Sequence, residues 1–130
     1  MFDMTNLEIA THSAVTMLWQ AGEMFDENGE LTVTNWDDHY LPEDATEDAT
    51  DRMVSAIRKF VSRVRPADLA TYLDQYSPTD LIHDYWLTRN GHGVGFWDRG
   101  LGPVGDRLID LSYVGTYDLF QVDEHTWSWE

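Results

Sequence analysis

His83-Asp84-Tyr85-Trp86-Leu87-Thr88-Arg89-Asn90-Gly91-His92-Gly93-Val94-Gly95-Phe96-Trp97-Asp98-Arg99-Gly100 is the least generic stretch of the chain, and its reading decides the fold. Leu81–Thr88 is rich in aromatic and apolar side chains, Asn90-Gly91 is a hairpin signal, and Val94–Trp97 supplies a return strand. The segment is therefore expected to form an antiparallel hairpin. Four glycines between positions 91 and 100 let the backbone take positive φ angles and approach a neighbour closely. Around them stand two histidines, two acids, two arginines, two tryptophans, a tyrosine and a phenylalanine. Such a mix suits a pocket with aromatic walls and a few convergent polar groups.

Helical patterns lie upstream. Leu7, Ala10, Ala14, Met17, Leu18 and Ala21 recur at helical spacing over 5–23, with Thr5 as N-cap and Glu8 three residues on. Asp26-Glu27-Asn28-Gly29 reads as a turn into a short β-prone run over 31–35. Its glycine comes too early for a calcium loop. A second helix is expected from Pro42 or Thr46 to Arg65, where Met53, Val54, Ile57, Phe60, Val61 and Val64 form the buried stripe and Pro66 stops it. Acids in its first turns and bases in its last suit the helix dipole. A short helix over 67–75 follows. Downstream of the quoted stretch, 104–113 reads as a further helix, and 117–122 with 126–129 as a second hairpin. The expected class is α+β, helices packed on an antiparallel sheet of two hairpins in a single domain. Within 1–130, residues 1–51 form an acidic helical front part and 80–130 a hairpin-helix-hairpin part.

A length of 130 residues suits one core, and 42% apolar with 13% aromatic content is too apolar for a disordered tail. No run approaches the roughly 18 apolar residues of a membrane span, and 1–8 has no basic leader region. Without Cys there are no disulfides, thiolate metal sites or thiol nucleophiles. Twenty-four acids face eight bases, for a net charge of −16. That balance argues against a direct grip on nucleic acid and against adsorption to an anionic membrane. The charge is uneven. Residues 1–51 carry thirteen acids and no Lys or Arg, whereas 52–65 carry Arg52, Arg58, Lys59, Arg63 and Arg65 and no acid.

The string from Asp84 to Arg99 resembles that of a family of small acidic bacteriophage proteins with no assigned activity. In that family it follows an acidic helical front half and precedes a helix and a final hairpin, here 105–111 and 119–129. The likeness spans about residues 40–130. It departs at Ile82, where members often have Gly, and at Val122-Asp123-Glu124-His125, where they often have Asp-Asp-Gly. The resemblance implies a phage protein acting in the cytoplasm of an infected bacterium, and no reaction.

The chemistry of the quoted segment is open. His83, Asp84, His92 and Asp98 offer nitrogen and oxygen ligands, but no spacing peculiar to a metal, so no metal or cofactor is expected. Gly91–Gly95 lacks both GxGxxG and the phosphate-binding lysine. Arg89 and Arg99 suit a two-pronged anion clamp, or ion pairs with Asp84, Asp98 or Asp106. Thr88 and Ser112 lack a nucleophile elbow, which leaves catalysis unsupported. Trp86, Phe96, Trp97, Trp127 and Trp129 read as packing residues, because base-stacking platforms need a cationic groove that the sequence does not present. His83, Asp84, Trp86, Arg89, Asn90, His92, Trp97, Asp98 and Arg99 are thus the candidate pocket, with Trp86 and Trp97 as walls.

The second candidate is the acidic block. Glu43, Asp44, Glu47, Asp48 and Asp51 are spaced by threes and fours, so one helix through them sets all five along one side. Five carboxylates over about 12 Å of axis approach the phosphate density of duplex DNA. The expected function is a non-enzymatic phage accessory protein that binds a host or phage protein, in the sharpest form as an acidic nucleic-acid mimic inhibiting a DNA/RNA-handling or defence enzyme. The competing expectations are a small enzyme or ligand-binding protein with its site in 83–99, and a structural subunit of an assembly. An excess of acids with a single Lys is equally the compositional habit of some genomes.

Overall fold

Thr5 and Glu8 exchange hydrogen bonds at the start of α1 (Asn6–Ala21): the Glu8 N–H donates to Thr5 Oγ1 at 3.1 Å and the Thr5 N–H to Glu8 Oε1 at 3.0 Å. The computed structural model describes residues 2–21, 24–25, 28–33, 35–91 and 95–130. The expected turn over 26–29 is described only at Asn28 and Gly29, and His92 lies outside the described residues. Strand β1 (Met24–Phe25) pairs antiparallel with β2 (Leu31–Val33), and the short helix α2 (Trp36–His39) follows.

Helix α3 (Glu47–Arg63) starts at Thr46, whose hydroxyl accepts from the Ala49 N–H, and it buries Met53, Ile57 and Phe60. Pro66 opens α4 (Pro66–Gln75), where Leu69 and Tyr72 face inward. Helix α6 (Pro103–Ser112) likewise begins at a proline and buries Leu108 and Ile109. Strands β3 (Leu119–Gln121) and β4 (Trp127–Trp129) form the closing antiparallel pair, in register Leu119↔Trp129.

The largest departure concerns residues 81–97. No hairpin forms among the described residues: α5 (Pro78–Arg89) occupies the expected first strand and Phe96–Arg99 is a 3-10 turn, while Val94 of the expected return strand lies outside the described residues. Ser77 and Asp80 close a capping box, with the Asp80 N–H on Ser77 Oγ at 3.1 Å and the Ser77 N–H on Asp80 Oδ2 at 3.0 Å. Helix α5 packs against both α1 and α6, and buries Leu81, Ile82, Asp84, Tyr85, Trp86 and Thr88. A helix covered round most of its circumference has no polar face to break the apolar run, so it reads as a strand. The helices pack on one another around a single core, to which β4 contributes the buried Trp127 and Trp129. The α+β class stands in this mostly helical form. Among the described residues no helix is long and apolar enough to cross a membrane.

Candidate functional site

Asp84 sits on α5, buried, and its carboxylate accepts from Arg99 Nε at 2.8 Å, Arg99 Nη2 at 3.1 Å and the Tyr72 hydroxyl at 2.5 Å. The two-pronged bond holds the Arg99 guanidinium charged, its pKa raised further by the carboxylate. Burial, and then the hydrogen bond to Asp84, push the Tyr72 phenol far above its ordinary range. Four residues further on, the Thr88 hydroxyl accepts from the Phe96 N–H at 3.1 Å. These bonds tie the 3-10 turn onto α5. Asn90 acts similarly, donating to the Tyr117 carbonyl at 3.2 Å while its own oxygen accepts from the Tyr117 N–H at 2.8 Å.

The candidate pocket residues therefore do not converge. Asp84 and Arg99 are spent on each other, Trp86 is fully buried in the core, and Trp97 and Asp98 face solvent. Arg89 points elsewhere, giving its Nε–H to the Gly115 carbonyl at 2.6 Å and its Nη1–H to the Tyr85 hydroxyl at 3.3 Å. Thr88 and Ser112 are both buried with their hydroxyls on local partners, as Ser112 donates to the Leu108 carbonyl at 2.8 Å. Among the described residues no three His, Asp or Glu side chains gather as a metal-ion site.

His83 lies on α5 opposite α1. The Thr16 hydroxyl gives its one proton to the His12 carbonyl at 3.0 Å, which leaves His83 Nδ1 as donor to Thr16 Oγ1. Burial, and then the nearby His12, hold the His83 pKa below its ordinary 6.5, against the opposing pull of Asp80 and Asp84. In this window the unfolded chain takes up the proton first. The contribution of His83 to stability is accordingly fully present above about pH 6.5 and is lost as the pH drops from there through the lower folded value. Urea unfolding at about pH 8 and about pH 5 is expected to show that loss, with a smaller one in His83→Gln.

The acidic block departs from expectation too. Glu43, Asp44, Glu47, Asp48 and Asp51 do not share one helix, because Pro42–Asp44 is a separate 3-10 turn and α3 begins at Glu47. The break has a tertiary cause: Ala45 bridges Trp127, and the Thr46 N–H donates to the Trp127 carbonyl at 3.0 Å. Asp44 turns back to accept from the Leu41 N–H at 2.8 Å, and Asp48 pairs with Arg52 at 2.9 Å. Glu43, Glu47 and Asp51 remain exposed.

A groove of about 350 Å3 opens where α3, α5 and β4 meet, beside the end of α6. Arg52, Lys59 and Arg63 from α3 and Arg89 from α5 line it, half of the chain's eight bases. Its floor is apolar: Phe60, Tyr85 and Trp129 are buried, with Ala56 and Leu111 beside them. The guanidinium of Arg52 lies 4.5 Å from the Trp129 ring centroid, and that of Arg89 5.4 Å from the same ring. Arg52 is further fixed by the Trp129 carbonyl at 2.7 Å, and the Trp129 indole donates to the Ala49 carbonyl at 3.0 Å. A cationic groove beside aromatics thus exists, contrary to the sequence reading. Arg52, Ala56, Lys59 and Arg63 repeat at helical spacing and were legible as one row. Arg89 and Trp129 join that row only through folding.

No protein-family model, curated protein or solved structure matches this chain.

Proposed function

We propose that this chain is a non-enzymatic binding protein that docks a protein partner through its acidic front half. The observation that carries the reading is a ridge on α1 in which Leu7, Val15 and Trp19 are 77%, 43% and 65% exposed. They fall on one i, i+4 row, the kind of ridge that seats in a groove of another protein, and Trp is enriched among the residues that anchor such interfaces. The ridge belongs to the block of residues 1–51 that contains no Lys or Arg. Arg52 pairs with Asp48 of that block, whereas Arg58 binds the Met4 carbonyl at 2.8 Å and Asn6 Oδ1 at 2.9 Å and makes no ion pair among the described residues. Glu43, Glu47 and Asp51 make no ion pair among the described residues.

The complementary partner has an apolar groove rimmed by cations, the surface of a nucleic-acid-handling enzyme. The acidic face would compete there with nucleic acid, as a phage accessory protein acting on a host defence enzyme would. The distribution of carboxylates over two elements favours field and steering over a positional copy of the phosphate backbone.

In a pull-down from bacterial lysate, wild-type protein is expected to capture a nucleic-acid-binding enzyme that about 0.5 M salt releases. Trp19→Ala is expected to weaken capture about 30-fold, while its melting temperature stays near wild type because the ring is mostly exposed. The combined Glu43→Gln, Glu47→Gln, Asp51→Asn variant is expected to slow association. Capture that is indifferent to salt and to both variants would refute the reading.

A further inference from the structure

We infer that the basic groove between α3, α5 and β4 binds a small organic phosphate, with the phosphoryl group on the cationic rim and a flat or apolar body against Ala56, Leu111 and Val114, above the buried Phe60 and Tyr85 rings. This goes beyond the acidic-face reading and does not depend on it.

Four cations converge on one concavity in a chain of net charge −16, while Arg99 and Arg107 are tied to buried Asp84 and Asp68. Lys59 and Arg63 are exposed and make no ion pair among the described residues, so their charges are free to meet a ligand. Arg52 already pairs with Asp48 at 2.9 Å, but Lys59, Arg63 and Arg89 are three like charges brought together, and their mutual repulsion is relieved by an anion. A group with two or more negative charges matches that rim better than a single carboxylate. Arginine forks also bind phosphate oxygens in pairs. Half of the rim is set before any ligand arrives. Arg52 and Arg89 both lie over the Trp129 ring, and Arg89 is anchored at Nε by the Gly115 carbonyl. Side chains held in place lose little freedom on binding.

The volume, about 350 Å3, is at the small end of sites for organic ligands, where a mononucleotide-sized molecule belongs. The long-range field decides against a polymer. A nucleic-acid strand running out of the groove on either side meets the surface of a protein with 24 acids and only eight bases. A ligand whose charge is confined to the rim avoids that repulsion.

The test is calorimetric titration of the full chain at low salt with ADP, adenosine, inorganic pyrophosphate and a short single-stranded oligonucleotide, with Trp fluorescence as a second readout. ADP is expected to bind at least tenfold more tightly than either adenosine or pyrophosphate, since each carries only half of the recognised chemistry. The double variant Lys59→Gln, Arg63→Gln, whose side chains are exposed and make no ion pair among the described residues, is expected to lose about tenfold or more in ADP affinity with an unchanged melting temperature. Arg65→Gln, a charge change outside the groove, is expected to leave ADP affinity in place. Absence of ADP binding, ADP affinity unchanged in the double variant, pyrophosphate binding as tight as ADP, or a preference for the oligonucleotide would each overturn the inference.

Discussion

Gly95→Ala is expected to lower the melting temperature by about 15 °C or more, from a loss near 4 kcal/mol. Gly95 has a φ of +92°, and a Cβ there would lie 2.5 Å from Thr88 Oγ1 and 2.7 Å from the Asp84 carbonyl oxygen. The second contact is with helix backbone and cannot swing away. Relief requires the 3-10 turn to lift from α5, which breaks the Phe96 N–H bond to Thr88 and uncovers the Phe96 ring, buried against Phe60 and Tyr72. Backbone strain adds about 1–2 kcal/mol to an orphaned buried donor. Gly100→Ala is the control, because φ is also positive there (+65°) while nothing lies within 4 Å of the added carbon. Only the strain component is expected at that position, about 1–2 kcal/mol by thermal unfolding. Equal losses at the two glycines would show that close approach at Gly95 contributes nothing.

Asp84→Ala is expected to cost about 3 kcal/mol, or roughly 10 °C in melting temperature. It removes the acceptor of three hydrogen bonds, leaving the buried Tyr72 hydroxyl and the part-buried Arg99 guanidinium without their partner. Arg99 retains some access to solvent, which keeps the loss at the low end for a broken buried pair. Asp84→Asn preserves the shape and an acceptor for Tyr72, so roughly half the loss is expected. The Arg99→Ala, Asp84→Ala double variant is expected to be less destabilised than the two single losses added together. Strict additivity in that cycle would mean the two side chains do not act as a unit.

Both predictions bear on residues 83–100, where sequence and structure part most. The need for glycine in the turns and an ion-pairing role for the arginines follow from residue type, but which acid Arg99 takes does not. The helix was recoverable from Ser77-Pro78-Thr79-Asp80, a capping box with proline at the first helical position. The strand reading rests on the apolar, aromatic run behind it, because periodicity is silent when a helix is covered on nearly all sides. The acidic block failed for a different reason. Its spacing fits a helix, but Thr46 is also a good N-cap, and the Trp127 carbonyl decides between the two from more than 80 residues away. The basic row on α3 was readable as a row and not as a site, since dipole complementarity accounts for the same residues.

What the sequence by itself determined are the local elements, α1, α3, α4, α6 and the closing strand pair, together with the sign and segregation of the charge. Caps, prolines and one-sided apolar stripes act over a few residues, and those residues carry the whole signal. The tertiary structure alone decided that the central segment is a buried helix, that the acidic run breaks at Ala45, and that four cations share one aromatic groove. Each of these depends on contacts between residues distant in the chain, where burial and hydrogen bonding from a second element outweigh the local preference of the first.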